Sequence, residues 1–152
     1  MSLLDRAGIA RLIPHAGAMC LWDELLSATD AVALCRTDSH RRGHNPLRRD
    51  GRLAALHLIE YGAQAMAVHG GWLAHAAGSA AQPGVLAAVR DLQLQVDYLD
   101  DLAAPLECTA RRLVANAGGW LYEFEISSGG RELGRGRASV IHLPKSEPVG
   151  AA

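Results

Sequence analysis

Two polar side chains interrupt an apolar stretch of the chain: Glu60 and Gln64, four positions apart in Leu58-Ile59-Glu60-Tyr61-Gly62-Ala63-Gln64. On a helix that spacing puts both on one face. A carboxyl held out of water keeps its proton more readily and suits a general acid near neutral pH. The alternative is a carboxylate that leaves the core and pairs with a loop arginine. His44, in Gly43-His44-Asn45-Pro46 just upstream, supplies either the natural base at pH 7 or a solvated loop histidine. His57 and Glu60 are three apart, with His69 further on. An H-x-x-E pair on a helix can give two metal ligands, but the spacing indicates no third, so no metal site is expected.

A second feature is charge. Arg41, Arg42, Arg48, Arg49 and Arg52 face a single acid, Asp50, between residues 41 and 52, in a chain whose net charge is −1. A basic loop on an otherwise acidic protein suggests an anionic partner. No aromatic residues interleave the charge, which argues against nucleic acid. There is no G-x-G-x-x-G, Walker loop, G-x-S-x-G or C-x-x-C. The common dinucleotide, nucleotide, serine-hydrolase and redox chemistries are therefore set aside.

These side chains need a scaffold, and the rest of the chain supplies one. A short helix is expected within residues 3–13, stopped by Pro14, and a strand at 31–37. Residues 40–51 read as a loop, with Asp50 or Gly51 starting a helix. Residues 52–77 carry good helix formers and little polar face before His69, so this helix should be long, about 39 Å, and largely buried. Gly70-Gly71 should weaken its last turns. Residues 85–99 alternate as a half-buried strand. Three more strands come after it, at 106–115, 120–127 and 132–143, separated by turns at 116–119 and 128–130. The order is strand, buried helix, four strands. A long apolar helix needs a sheet wrapped round it, which gives an α+β domain over residues 1–144 with a disordered tail at 145–152.

The 152 residues suit a single domain, and 49% hydrophobic content excludes a disordered chain. Cys20, Cys35 and Cys108 are far apart and odd in number, as small core residues in a reducing compartment would be. No signal peptide and no bilayer-length apolar run is visible, so a soluble cytoplasmic protein is expected.

Several segments together resemble the 3-hydroxyacyl carrier-protein dehydratases. Leu12-Ile13-Pro14-His15 with Met19-Cys20-Leu21-Trp22-Asp23-Glu24 after it is similar to their opening. Gly43-His44-Asn45-Pro46 resembles G-H-F-P, and Leu58 to Ala65 resembles L-x-E-x-x-A-Q-A. Asn45-Pro46-Leu47-Arg48 and residues 59–70 resemble the subgroup linked with aryl polyene biosynthesis. The resemblance implies a hotdog fold, a curved antiparallel sheet around one central helix, and a homodimer or heterodimer with active sites at the interface, the histidine of one subunit facing the acid of the other. It implies His44 as the base for the C2 proton, Glu60 as the acid for the leaving 3-hydroxyl, and Gln64 as the support of that acid. It implies a backbone N–H near Ala55 that polarises the thioester carbonyl. Arg48 and Arg49 would receive a phosphopantetheine phosphate or the acidic face of acyl carrier protein. No cofactor is expected besides that carried arm. Two other readings stand beside the dehydratase: a non-catalytic partner subunit, and an acyl thioesterase that activates water. The apolar helix and small sheet predict a dimer joined edge to edge.

Overall fold

A computed structural model describes residues 1–144. The expected tail at 145–152 lies outside the described residues. The chain runs α1 (Arg6–Ala10), β1 (Glu24–Ala28), β2 (Val32–Thr37), α2 (Leu58–Ala76), β3 (Gly84–Leu94), β4 (Leu106–Asn116), β5 (Gly119–Ser128) and β6 (Arg131–His142). Six antiparallel strands form one sheet in the order β1-β2-β4-β5-β6-β3. The helix α2 packs across β2, β4 and β5. This is the expected α+β arrangement, with one strand more than the sequence suggested. No helix among the described residues is long and apolar enough to cross a membrane.

The core forms where period-2 strands meet the helix. Leu106, Cys108 and Ala110 of β4 and Tyr122, Phe124 and Ile126 of β5 all turn inward and are buried. All three cysteines are free and buried. Burial pushes the Cys35 thiol up to about 12, so it is an inert packing group.

The glycines of α2 are sites of close approach, not only weak points. A Cβ on Gly62 would stand 2.7 Å from the Phe124 ring, and one on Gly70 would fall on the Trp120 ring. A Cβ on Gly71 would lie 2.7 Å from the Leu12 carbonyl oxygen. The helix can sit this near β5 and the N-terminal segment because those positions lack side chains.

Four expectations need correction. First, β1 is a strand that no expectation included; its five residues bury Leu25 alone, too little for a pattern to show. Second, the helix begins at Leu58 after a 3-10 turn at Ala55–His57, not near Asp50. Leu53 N–H donates to Asp100 Oδ1 (2.9 Å) and Ala55 N–H to the Asp97 carbonyl (2.8 Å), while Ala54 bridges Tyr98. Those long-range bonds hold residues 53–55 extended. Third, Asp50 (φ 52°) and Gly51 (φ 75°) form a two-residue turn between the paired Arg49 and Arg52. Asp-Gly is the signature of such a turn. Fourth, β3 ends at Leu94, and none of its residues is fully buried. It is an edge strand, and a bulge between Arg90 and Gln93 breaks its alternation.

Candidate active site

The helix α2 is not buried all round. One stripe, Glu60, Ala63, Ala67, Gly71 and His75, faces an elongated cavity of about 760 Å³. The spacing of three and four keeps these residues on one face. The stripe offers nothing larger than a methyl group over the roughly four turns between Glu60 and His75. Trp120 and Val140 also line it, as do Arg11, Leu12, Pro14 and His15, with Leu12 beside Gly71 and His15 beside Glu60.

Gln64 is fully buried, and its orientation is fixed by backbone groups. The Leu21 N–H donates to Gln64 Oε1 (3.0 Å), and Gln64 Nε2 donates to the Met19 carbonyl (2.7 Å). The amide therefore cannot turn round, and its second Nε2 hydrogen points to Glu60 Oε1 (3.1 Å). The strap at residues 19–23 is itself anchored: Trp22 Nε1 donates to the Tyr61 carbonyl (2.8 Å). Asp23 accepts from the Asp38 amide, the Thr37 hydroxyl and Arg42. Burial opposes the Asp23 charge, but these donors hold its carboxyl below the usual carboxylate range.

Glu60 itself is one-third exposed, with its open side toward the cavity, rather than buried as expected from the apolar helix. The titratable side chain within ion-pair distance is not a loop arginine. It is His15, whose Nε2 lies 3.5 Å from Glu60 Oε1. His15 stood within a recognisable motif but was given no role by the sequence. Forty-five positions separate it from Glu60, and no local spacing joins them.

The other assigned residues lie elsewhere. His44 is exposed on its loop and is not among the residues lining the cavity. The Ala55 N–H is engaged by the Asp97 carbonyl, so it is not the open donor that was expected there. Arg48 is a structural cross-link: its guanidinium donates to the carbonyls of Arg42 (2.9 Å), Gly51 (2.9 Å) and His40 (3.2 Å). Arg42 pairs with Asp23 and Arg52 with Asp100. Arg52 also lies over the Tyr98 ring. Arg41 and Arg49 remain exposed, bonded only to backbone carbonyls. Asn45, in the motif beside His44, is buried: its Nδ2 donates to Tyr61 Oη (3.0 Å) and the Ser39 carbonyl (2.9 Å). The loop is thus tied to α2 just after Glu60.

His69 belongs to the core. No group of three potential metal ligands occurs among the described residues. The Thr29 carbonyl can only accept, so His69 Nε2 (2.7 Å) carries the hydrogen, and Nδ1 accepts from the Tyr122 hydroxyl (2.7 Å). His40 is also fully buried, with Nε2 2.9 Å from the Leu102 carbonyl. Burial lowers both imidazoles below the ordinary 6.5. The unfolded chain then binds protons below about pH 6.5 that the folded chain refuses. Their contribution is full above that pH and is lost as pH falls through the lowered folded values. The thermal midpoint should drop between about pH 7.5 and 5, more shallowly in His69→Gln. Parallel pH profiles for the two proteins would refute the assignment.

The comparisons with known proteins bear on this site. A sequence profile described as ApeP-like, ApeP dehydratase, matches residues 7–149. The chain belongs to the ApeP-like dehydratase family. Among solved structures it resembles the dehydratase heterocomplex ApeI:P from Xenorhabdus doucetiae, with TM-score 0.82 and 27% identity over 91% of this chain and 93% of that one. AziG from S. sahachiroi matches with TM-score 0.62 and 17% identity, over 88% and 98% of the two chains. A hypothetical thioesterase from Streptococcus pneumoniae, solved with coenzyme A, matches with TM-score 0.57 and 13% identity, over 79% and 84%. The last two speak for the fold alone. No curated protein sequence matches the chain. The fold of this ApeP-like chain is the hotdog, with α2 as its central helix, and the aryl polyene link drawn from the motifs agrees with the family.

Proposed function

We propose that this ApeP-like chain takes part in dehydrating a (3R)-hydroxyacyl group, carried as a thioester on acyl carrier protein, to the trans-2-enoyl thioester. The observation that carries the reading is Glu60, oriented by the fixed Gln64 amide and opening onto a long cavity floored by Ala63, Ala67 and Gly71. A positioned carboxyl at the end of an acyl-sized groove suits protonation of a leaving hydroxyl. The exposed Arg41 and Arg49 offer charge to an acidic carrier surface.

The chain acts beside a second hotdog subunit. Two observations favour this. The outer side of β3 is an open edge eleven residues long, carrying exposed Val85, Leu86 and Leu94. Such an edge is a template for another strand. The related ApeI:P structure is a dehydratase heterocomplex. The heterocomplex also supports a second reading, in which this chain serves chiefly to place substrate for its partner.

Mass spectrometry of 3-hydroxyacyl carrier protein separates these readings. The chain is incubated alone and with a second hotdog subunit. Loss of one water from the acyl group supports dehydration. Release of free acid indicates a thioesterase instead. Dehydration that needs this chain but survives Glu60→Gln leaves only the placing role.

A further inference from the structure

We propose that His15 is the base of the same site, so that one chain carries both proton-transfer groups of the dehydration; this rests on the reading above. Three observations support it. His15 Nε2 and Glu60 Oε1 lie 3.5 Å apart at one end of the cavity, and both residues line it. The His15 side chain is one-third exposed, like that of Glu60, so both reach the same space. Its Nδ1 is buried without a hydrogen-bond partner. No structural bond therefore claims the ring, in contrast with His69, whose two nitrogens are both engaged.

The segment that holds His15 is built for position. Residues 17–21 are tied to α2 by Gln64 and to α1 by Arg6, whose Nη2 donates to the Gly17 carbonyl (2.8 Å). Gly17 takes φ 58°, a turn that brings the chain back over the helix. The amide that orients the Glu60 carboxyl thus also holds the chain four to six residues beyond His15.

The reaction then balances within the pair. Neutral His15 Nε2 takes the C2 proton, and the electron pair of that C–H bond forms the C2–C3 double bond. The C3–O bond breaks, and the hydroxyl leaves as water with the proton of the Glu60 carboxyl. His15 is left protonated and Glu60 ionised. Transfer of that proton from His15 to Glu60, across the gap between them, restores the starting state without solvent. The exposed His44 has no part in the cycle.

The test compares wild type, His15→Gln, His15→Ala and His44→Ala, each with its partner subunit, on 3-hydroxyacyl carrier protein. His15→Gln should lower kcat by about 10²–10⁴-fold, the usual worth of a positioned base. It should also remove one limb of the pH–rate profile. Added imidazole should restore part of the rate to His15→Ala and none to Glu60→Gln, an outcome that a structural role would not produce. His44→Ala should keep the wild-type rate. A wild-type rate and profile in His15→Gln, or a loss confined to His44→Ala, would overturn the assignment and leave the proposed function standing. A wild-type complex that releases no water would overturn both. If His15→Gln lowers the thermal midpoint, His15→Asn and the imidazole rescue decide.

Discussion

Replacing Glu60 by Gln should lower the dehydration rate by about 10²–10⁴-fold while leaving the fold intact. The change keeps the shape of the side chain and an oxygen that can accept from Gln64 Nε2, so the contacts to Met19 and Leu21 survive. The proton for the leaving hydroxyl disappears. That proton matters only in the transition state, so kcat should fall with little change in KM. The Glu60→Gln and His15→Gln losses should also fall well short of additive, because both groups serve one elimination. The measurement is single-turnover dehydration together with a thermal midpoint for each variant. A retained rate in a folded Glu60→Gln protein would show that the carboxyl is not the acid.

The second large effect concerns chain length. Ala67 lies seven residues beyond Glu60 on the same stripe, about 10 Å along the helix axis at 1.5 Å per residue. Ala67→Leu would place an isobutyl group across the cavity at that depth. A 3-hydroxybutyryl group, held at the Glu60 end, should be processed as before. A 3-hydroxydodecanoyl group should be disfavoured on the order of 10–200-fold, the range over which a small change of apolar bulk discriminates. Gly71 is a poorer choice, because a Cβ there meets the Leu12 backbone before it reaches the cavity. Equal losses for both chain lengths would mean that the acyl group does not lie along this stripe.

Legibility in the sequence depended on how local the cause was. The Glu60–Gln64 pair was legible because one helix sets its spacing, and the inward faces of β4 and β5 were legible from alternation. The Asp50-Gly51 turn carried a readable signal that the expectation of a helix start overrode. The delayed start of α2 had no local trace, because the Asp97 carbonyl and the Asp100 carboxylate that hold residues 53–55 lie more than forty positions away. The meeting of His15 with Glu60 was hidden for the same reason. The arginine loop misled because charge is visible in a sequence and the carbonyls that engage it are not.

Arg48 is a charged residue used as a joint. Its planar fork spans carbonyls on both sides of the loop, and a lysine would bring the same charge on a single pivot. Arg48→Lys, which a ranking by chemical similarity would score as mild, should therefore loosen residues 40–51 as one block. Neutralising the exposed Arg49 should leave that block in place. The loop thus behaves like a riveted bracket, and part of its stiffness comes from the shape of one side chain rather than from the charge the loop displays.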